Sequence, residues 1–290
     1  MRTTPRLLVS AAALLGVLGA SCGSDDKAAD TTTTVAATVE TTAAPPTPAA
    51  PTIEQAATTE GSEPAVTGDV MVFAAASLTA AYTEIGDAFM TEYPDSKVMF
   101  NFAASSDLVT QINEGAPADV FASADQANMT KLTDAGGNAG EPTVFATNSL
   151  QIIVEPGNPK GITGVADLAK SDIIYVTCAP EVPIGKYAAQ VLTAAGVTAT
   201  PASLEENVKG IVTKVTLGEA DAGIVYKTDV IAAGDKAEGV DIPADINVTA
   251  TYPVVATKEA ANVEGAQAFV AFVAGEQGQK ILANYGFTAP

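Results

Sequence analysis

The chain has 290 residues, 34 of them acidic and 14 basic, and its formal net charge of −20 excludes a nucleic-acid binder working through a general basic surface. It contains no His and no Trp. His-dependent triads, His-ligated zinc and imidazole proton shuttles are therefore ruled out, while enzymes that do without His stay open. Charged residues make up 17% against 47% hydrophobic, so a packed core is expected, in one or two folded units.

Arg2 and Arg6 precede the apolar run Leu7 to Leu18, which ends in Gly19, Ala20 and Ser21 before Cys22. A charged start, a short apolar centre and a small-residue end read as an export signal over residues 1–21, too short for a comfortable bilayer span. The end of the signal resembles the lipobox of bacterial lipoproteins, which implies lipidation of Cys22. It departs from that pattern in one respect: the Leu usual three residues before the cysteine stands four before it, as Leu18. Loss of Arg2 and Arg6 with the signal takes the formal charge from −20 to −22. With Cys22 lipidated, Cys178 has no intramolecular partner and reads as a small buried apolar residue, with no His to activate it.

Residues 23–66 hold 11 Thr, 11 Ala and 5 Pro, with no aromatic residue and no sustained apolar period. Residues 22–66 are thus expected to be a lipidated Cys and a disordered tether, spanning about 35–40 Å as a flexible coil. The folded part is expected over 67–290.

Within it, short apolar runs alternate with helical periods, which predicts an α/β fold of mostly parallel strands. Val70 to Phe73 reads as a buried strand, and Leu78, Tyr82, Ile85 and Phe89 as one face of a helix ending before Pro94. A strand over Val98 to Phe102, a short helix marked by Leu108, Val109 and Ile112 and stopped by Gly115, and a strand over Asp119 to Ala122 complete a βαβαβ start. A second set comprises strands at Leu150 to Val154 and Ile173 to Val176 and a helix from about Pro183 to Ala195. A helical face at Val208, Ile211, Val212 and Val215 then leads into a strand over Gly223 to Tyr226. Two lobes are implied, lobe 1 over about 67–148 plus 253–290 and lobe 2 over about 149–252. The segment Ala250 to Thr257 returns the chain to lobe 1, and Phe269, Phe272 and Val273 suggest a closing helix.

Ligands of open α/β sheets sit outside the carboxyl ends of strands, so the strand-to-helix junctions carry the functional information. Ser77, Ser105 with Ser106, and Asn207 stand at three such junctions, and all are good N-cap types. Converging helix starts offer unpaired N–H donors and the positive end of the peptide dipole, which suits an anion without Lys or Arg. Taken singly, each has a bland reading: Ser77 and Ser105 as caps, Tyr226 as a packing residue, Val208 as core, Pro183 as a helix-start proline.

The wording of these junctions is more specific. Val72-Phe73-Ala74-Ala75-Ala76-Ser77-Leu78-Thr79, Phe102-Ala103-Ala104-Ser105-Ser106 and Gly115-Ala116-Pro117-Ala118-Asp119-Val120-Phe121-Ala122-Ser123-Ala124-Asp125 closely resemble the substrate-binding proteins of molybdate ABC importers. Val182 to Tyr187, Gly223 to Tyr226 and Tyr285-Gly286-Phe287 follow in the same order, so the likeness covers essentially all of 67–290. The resemblance implies a two-lobed periplasmic-binding-protein fold (type II) that clasps one tetrahedral oxyanion. Carried over by motif, it places contacts on Ser77 and Ser105 through hydroxyl and backbone N–H, on the backbone N–H of Ile184 and Val208, and on the Tyr226 hydroxyl. Such proteins often have a small residue where Ile184 stands, and some have a second cysteine soon after Cys178 that is absent here.

The reading favoured is an extracytoplasmic receptor for molybdate, with tungstate as a further ligand, delivering its anion to an ABC permease. It is expected to be a monomer held to the outer face of the cytoplasmic membrane by lipid at Cys22, without a cofactor, a cation site or a nucleic-acid partner. The alternative keeps the fold and changes the ligand to sulfate, phosphate or an organic carboxylate, although no binding segment offers the Arg that a carboxylate would favour. A third reading is a secreted enzyme using Asp119, Asp125, Glu205 and Glu206 as acid and base, against their plainer role as caps and surface charges.

Overall fold

The computed structural model describes residues 66–290, so the expectations for the export signal, Cys22 and all but the last tether residue lie outside the described residues. The described residues form two five-stranded sheets. The first holds β1 (Gly68–Ala75), β2 (Ser96–Ala103), β3 (Val120–Ala122), β4 (Asn138–Asn148) and β10 (Ala250–Thr257), in the order β2-β1-β3-β10-β4. The second holds β5 (Leu150–Val154), β6 (Tyr175–Cys178), β7 (Ser203–Glu205), β8 (Ala222–Tyr226) and β9 (Glu238–Asp241), in the order β7-β6-β8-β5-β9.

Both sheets follow one plan. Three strands run parallel, the first in sequence lying between the other two, and two antiparallel strands extend one edge. Parallel pairing thus accounts for half of the junctions in each sheet, less than the strand-helix alternation predicts. The reason is visible at β4, β5, β9 and β10, where the chain passes from one sheet to the other and back without an intervening helix, so these strands run antiparallel to their neighbours.

The helices α1 (Thr79–Glu92) and α2 (Ser105–Asn113) connect the parallel strands of the first sheet, and α4 (Pro183–Ala194) and α5 (Val208–Thr216) do the same in the second. Tyr82, Ile85 and Phe89 of α1 are fully buried, and the rings of Tyr82 and Phe89 meet that of Phe269 of α7 (Val263–Ala274), with centroids 6.0 Å and 5.4 Å away. Large buried aromatics two turns apart on α1 fix how α1 and α7 lie on the sheet. The remaining helices are α3 (Gln126–Asp134), α6 (Lys227–Ala233) and α8 (Glu276–Asn284). No described helix is long and apolar enough to cross a membrane.

Candidate functional site

Because β1, β2, β6, β7 and β8 point their carboxyl ends toward one region, the segments that follow them meet there. Ser77 follows β1, Ser105 opens α2 after β2, Ile184 lies in the first turn of α4 after β6, Val208 opens α5 after β7, and Tyr226 ends β8. All five line a single small hollow between the two sheets, together with Ala76, Ala104, Ala124 and Asn207. The hollow offers about 20 Å³ to the centre of a water-sized sphere, equivalent to a space of roughly 3 Å radius. Ser77 and Ile184 occupy equivalent places in the two lobes, after the first parallel strand, and Ser105 and Val208 after the second.

The serines do not cap helices. The N-cap of α1 is Leu78 and that of α2 is Ala104, neither with a side-chain bond, so the capping role expected for Ser77 and Ser105 is corrected. Freed from that duty, the hydroxyls are held elsewhere: Ser105 Oγ accepts from the Ala124 N–H at 3.0 Å, and Ser77 Oγ lies 3.1 Å from the Tyr252 hydroxyl. Asn207 does cap α5, its side chain accepting from the Lys209 N–H at 2.9 Å. Ile184 and Val208 sit in first turns, where backbone N–H groups have no intrahelical acceptor.

Gly185 shows how tightly the α4 start is seated. A Cβ there would lie 2.2 Å from the Ala179 carbonyl oxygen and 2.5 Å from that of Cys178, so only glycine lets the helix N-terminus approach the end of β6. Pro183, two positions earlier, suits a first helical turn because it has no N–H to satisfy.

The lining is neutral. Tyr226 is buried, and its hydroxyl has no hydrogen-bond partner among the described residues. Burial drives its pKa well above the ordinary tyrosine value, so it stays protonated and able to donate. Two lysines that follow lining residues closely in sequence are paired with carboxylates: Lys209 Nζ is 2.8 Å from Asp229 Oδ1 and Lys186 Nζ is 3.6 Å from Asp125 Oδ2. Burial raises the pKa of Asp229, with Lys209 opposing the rise.

The carboxylates considered as an acid and base have structural work instead. Asp119 accepts from the N–H groups of Met71 at 2.7 Å and Asn262 at 3.0 Å, Asp125 caps α3 through the Asn128 N–H at 2.9 Å, and Glu205 pairs with Lys214 at 2.8 Å. Neither they nor Glu206 lines the hollow. Among the described residues no cluster of three or more Cys, Asp or Glu is arranged to hold a metal ion.

The profile of the bacterial extracellular solute-binding protein family matches residues 70–288. The chain belongs to this family. Its relatives include the molybdate-binding protein ModA of Mycobacterium tuberculosis, 40% identical over 241 residues, which cover 83% of this chain and 90% of that protein. The fold is shared with the periplasmic molybdate-binding protein of Azotobacter vinelandii (TM-score 0.66, 24% identity, 76% of this chain and 99% of that one). It is shared equally with the sulfate-binding protein SubI of Mycobacterium tuberculosis (TM-score 0.69, 20% identity, 77% and 87%). Fold likeness at this level does not choose between tetrahedral anions.

As a solute-binding protein, the chain also uses residues that its local sequence does not advertise. Tyr252 bonds Ser77 from 175 positions away, and Tyr187 reaches from α4 to the Ala124 carbonyl at 3.4 Å. An aromatic residue within a strand or a helical period reads as core, and only the tertiary fold brings these hydroxyls to the cleft.

Proposed function

We propose that this solute-binding protein binds molybdate outside the cytoplasmic membrane and delivers it to the permease of an ABC importer. The observation that carries the reading is the convergence of neutral donors from both lobes on a hollow of roughly 3 Å radius, in a chain 40% identical to a molybdate-binding protein. A dianion stripped of water needs several donors in exchange, and Ser77, Ser105 and Tyr226 hydroxyls with first-turn N–H groups of Ile184 and Val208 supply them. A formal charge of −20 does not oppose this, because repulsion between exposed charges is screened beyond about 8 Å at physiological salt while contact donors in a closed cleft are not. Tungstate, with the same charge and nearly the same shape, is a second ligand of the same site. A lipid at Cys22 holds the protein at the membrane face, where a tether over 22–66 keeps it near the permease.

Calorimetric titration of the full-length protein with molybdate, tungstate, sulfate and phosphate tests the reading, and recovery of molybdate unchanged after incubation separates a receptor from a catalyst. Absence of heat with molybdate overturns it. Cys22→Ser should move the protein out of the membrane fraction with its anion affinity intact, and retention in the membrane would refute the anchor.

A further inference from the structure

The lining of the hollow is neutral, but a full charge lies directly behind it. Asp229 stands in the first turn of α6, its side chain wholly out of contact with solvent. Its Oδ2 accepts from the Tyr226 N–H at 3.3 Å and its Oδ1 from Lys209 Nζ at 2.8 Å. Tyr226 lines the hollow, and so does Val208, the residue before Lys209. The ion pair therefore bridges two of the segments through which the second lobe faces the anion.

The two halves of the pair do not act equally on the hollow. Lys209 is about a third exposed, so water screens its charge, whereas the Asp229 carboxylate meets no water. A charge held in the low-dielectric interior acts more strongly at a given distance than one that faces solvent. The reach of the carboxylate is visible in its neighbours: burial is the first cause that raises the pKa values of Tyr226, Tyr252 and Cys178, and the charge of Asp229 adds to the rise in all three. The net field of the pair at the Tyr226 end of the hollow is thus negative, against the sign of the ligand.

Holding α6 does not demand this charge. A neutral Asn can accept the same backbone N–H, and a buried ion pair adds little stability once the desolvation of both partners is counted. What the carboxylate supplies beyond an acceptor is repulsion of a dianion that the lining donors hold. A receptor that must hand over its anion needs a limit on how tightly those donors keep it, and such a limit acts mainly on the rate of release.

We propose that Asp229 is an affinity-limiting residue, whose buried carboxylate, only partly offset by Lys209, opposes the dianion in the hollow and speeds its release. The proposal rests on the oxyanion reading given above.

The test is calorimetric titration of the full-length protein with sodium molybdate at pH 8, with release followed by stopped-flow tyrosine fluorescence. The wild type is compared with Asp229→Asn and with the double variant Lys209→Met, Asp229→Asn, and melting in the absence of anion checks that each folds. Asp229→Asn keeps an acceptor for the Tyr226 N–H and removes the charge, so molybdate should bind about five- to tenfold more tightly, mostly through slower release. The double variant carries neither charge and should still bind about two- to threefold more tightly than the wild type, because the carboxylate outweighs the screened lysine. It decides the matter if Asp229→Asn does not fold. A brace that merely holds α5 against α6 predicts the opposite sign, since loss of either partner would loosen the site. A folded Asp229→Asn protein that binds molybdate no more tightly than the wild type, or in its place a double variant that does not, would show that Asp229 is only such a brace, and the proposal fails while the oxyanion reading stands. A wild type that does not bind molybdate overturns the oxyanion reading, and this proposal with it.

Discussion

Lys186 in α4 reaches across the cleft to Asp125, with Nζ 3.6 Å from Oδ2, and so joins a helix of the second sheet to the loop that leaves β3 of the first. The neighbouring Tyr187 makes the same crossing to the Ala124 carbonyl. Asp125 is anchored as the cap of α3, whereas the lysine is about two-fifths exposed, so the pair is a partly solvated latch on the closed arrangement.

Lys186→Met should therefore cost little in the melting of the free protein and weaken molybdate binding by about two- to fivefold, the range of an exposed ion pair. Wild-type affinity should drop toward that of the variant as salt is raised and the pair is screened. Titration at low and high ionic strength checks this. Equal affinities at low salt would remove the pair from the closure equilibrium.

Ser105→Ala and Tyr226→Phe separate binding from folding because the two hydroxyls differ behind the site. Each substitution should weaken molybdate by about 1.5–3 kcal/mol, the range for a hydrogen bond to a charged group, and Ser77→Ala should do the same. In the free protein their effects diverge. Ser105→Ala strands the buried Ala124 N–H and should lower stability by about 1–3 kcal/mol, whereas Tyr226→Phe deletes a hydroxyl without a partner among the described residues and should leave stability equal or higher. Melting with and without molybdate checks both signs, and a Tyr226→Phe protein that melts lower when free would show that the hydroxyl has a structural partner.

Gly185→Ala tests whether the α4 start must sit where it does. The added methyl cannot coexist with the carbonyls of Ala179 and Cys178, so the helix must retreat, at about 1–3 kcal/mol for a forced shift. The first-turn N–H groups retreat with it, and molybdate affinity should fall although no side chain of the lining changes. Titration and melting of this one variant report both losses. Normal affinity would mean that the Ile184 N–H does not touch the anion.

Much of this site is legible in the sequence because strand ends and helix starts announce themselves: Val72 and Phe73 run into Ser77, Asn207 precedes a helical face, and Pro183 marks a first turn. What is hidden has a physical cause. A serine at a helix start looks like a cap, and only the fold shows that Leu78 and Ala104 hold those positions while the serines face the hollow. β4 alternates poorly and carries two register shifts against β10, and β9 is mostly exposed, so neither has the buried run that marks a strand. α3 has only Met129 and Leu132 as buried apolar anchors, too few to set a period.

Cys178 sits at the end of β6, its thiol buried, with burial and then the charges of Glu205 and Asp229 pushing its pKa up to about 12. A pKa raised on folding contributes stability that is whole below the ordinary thiol value of about 8.5 and is lost as pH rises from there toward 12. At pH 8 the thiol should react with an aromatic disulfide only through opening of the structure. Molybdate at 100 times its Kd stabilises by about 2.7 kcal/mol, and labelling that requires global opening should then slow about a hundredfold. Rapid labelling of the native protein, indifferent to molybdate, would place the thiol in solvent contact.

The lining also sets the order of anions. Sulfate and molybdate carry no proton near pH 8, whereas phosphate as a dianion keeps one and loses its partner when the lining hydroxyls and N–H groups all donate. One unsatisfied buried polar group costs about 1–3 kcal/mol, so phosphate should bind about 5–150-fold more weakly than molybdate before size is counted. Sulfate escapes that penalty but is smaller, and donors fixed from both lobes around a hollow of roughly 3 Å radius cannot all close on it. The expected order is molybdate first, with sulfate and phosphate well behind for different reasons: sulfate for reach and phosphate for its proton. Competition against bound molybdate at pH 8 measures both. Phosphate that displaces molybdate at equal concentration would demonstrate an acceptor in the lining, and sulfate that does so would show that the lobes close far enough to fit the smaller ion.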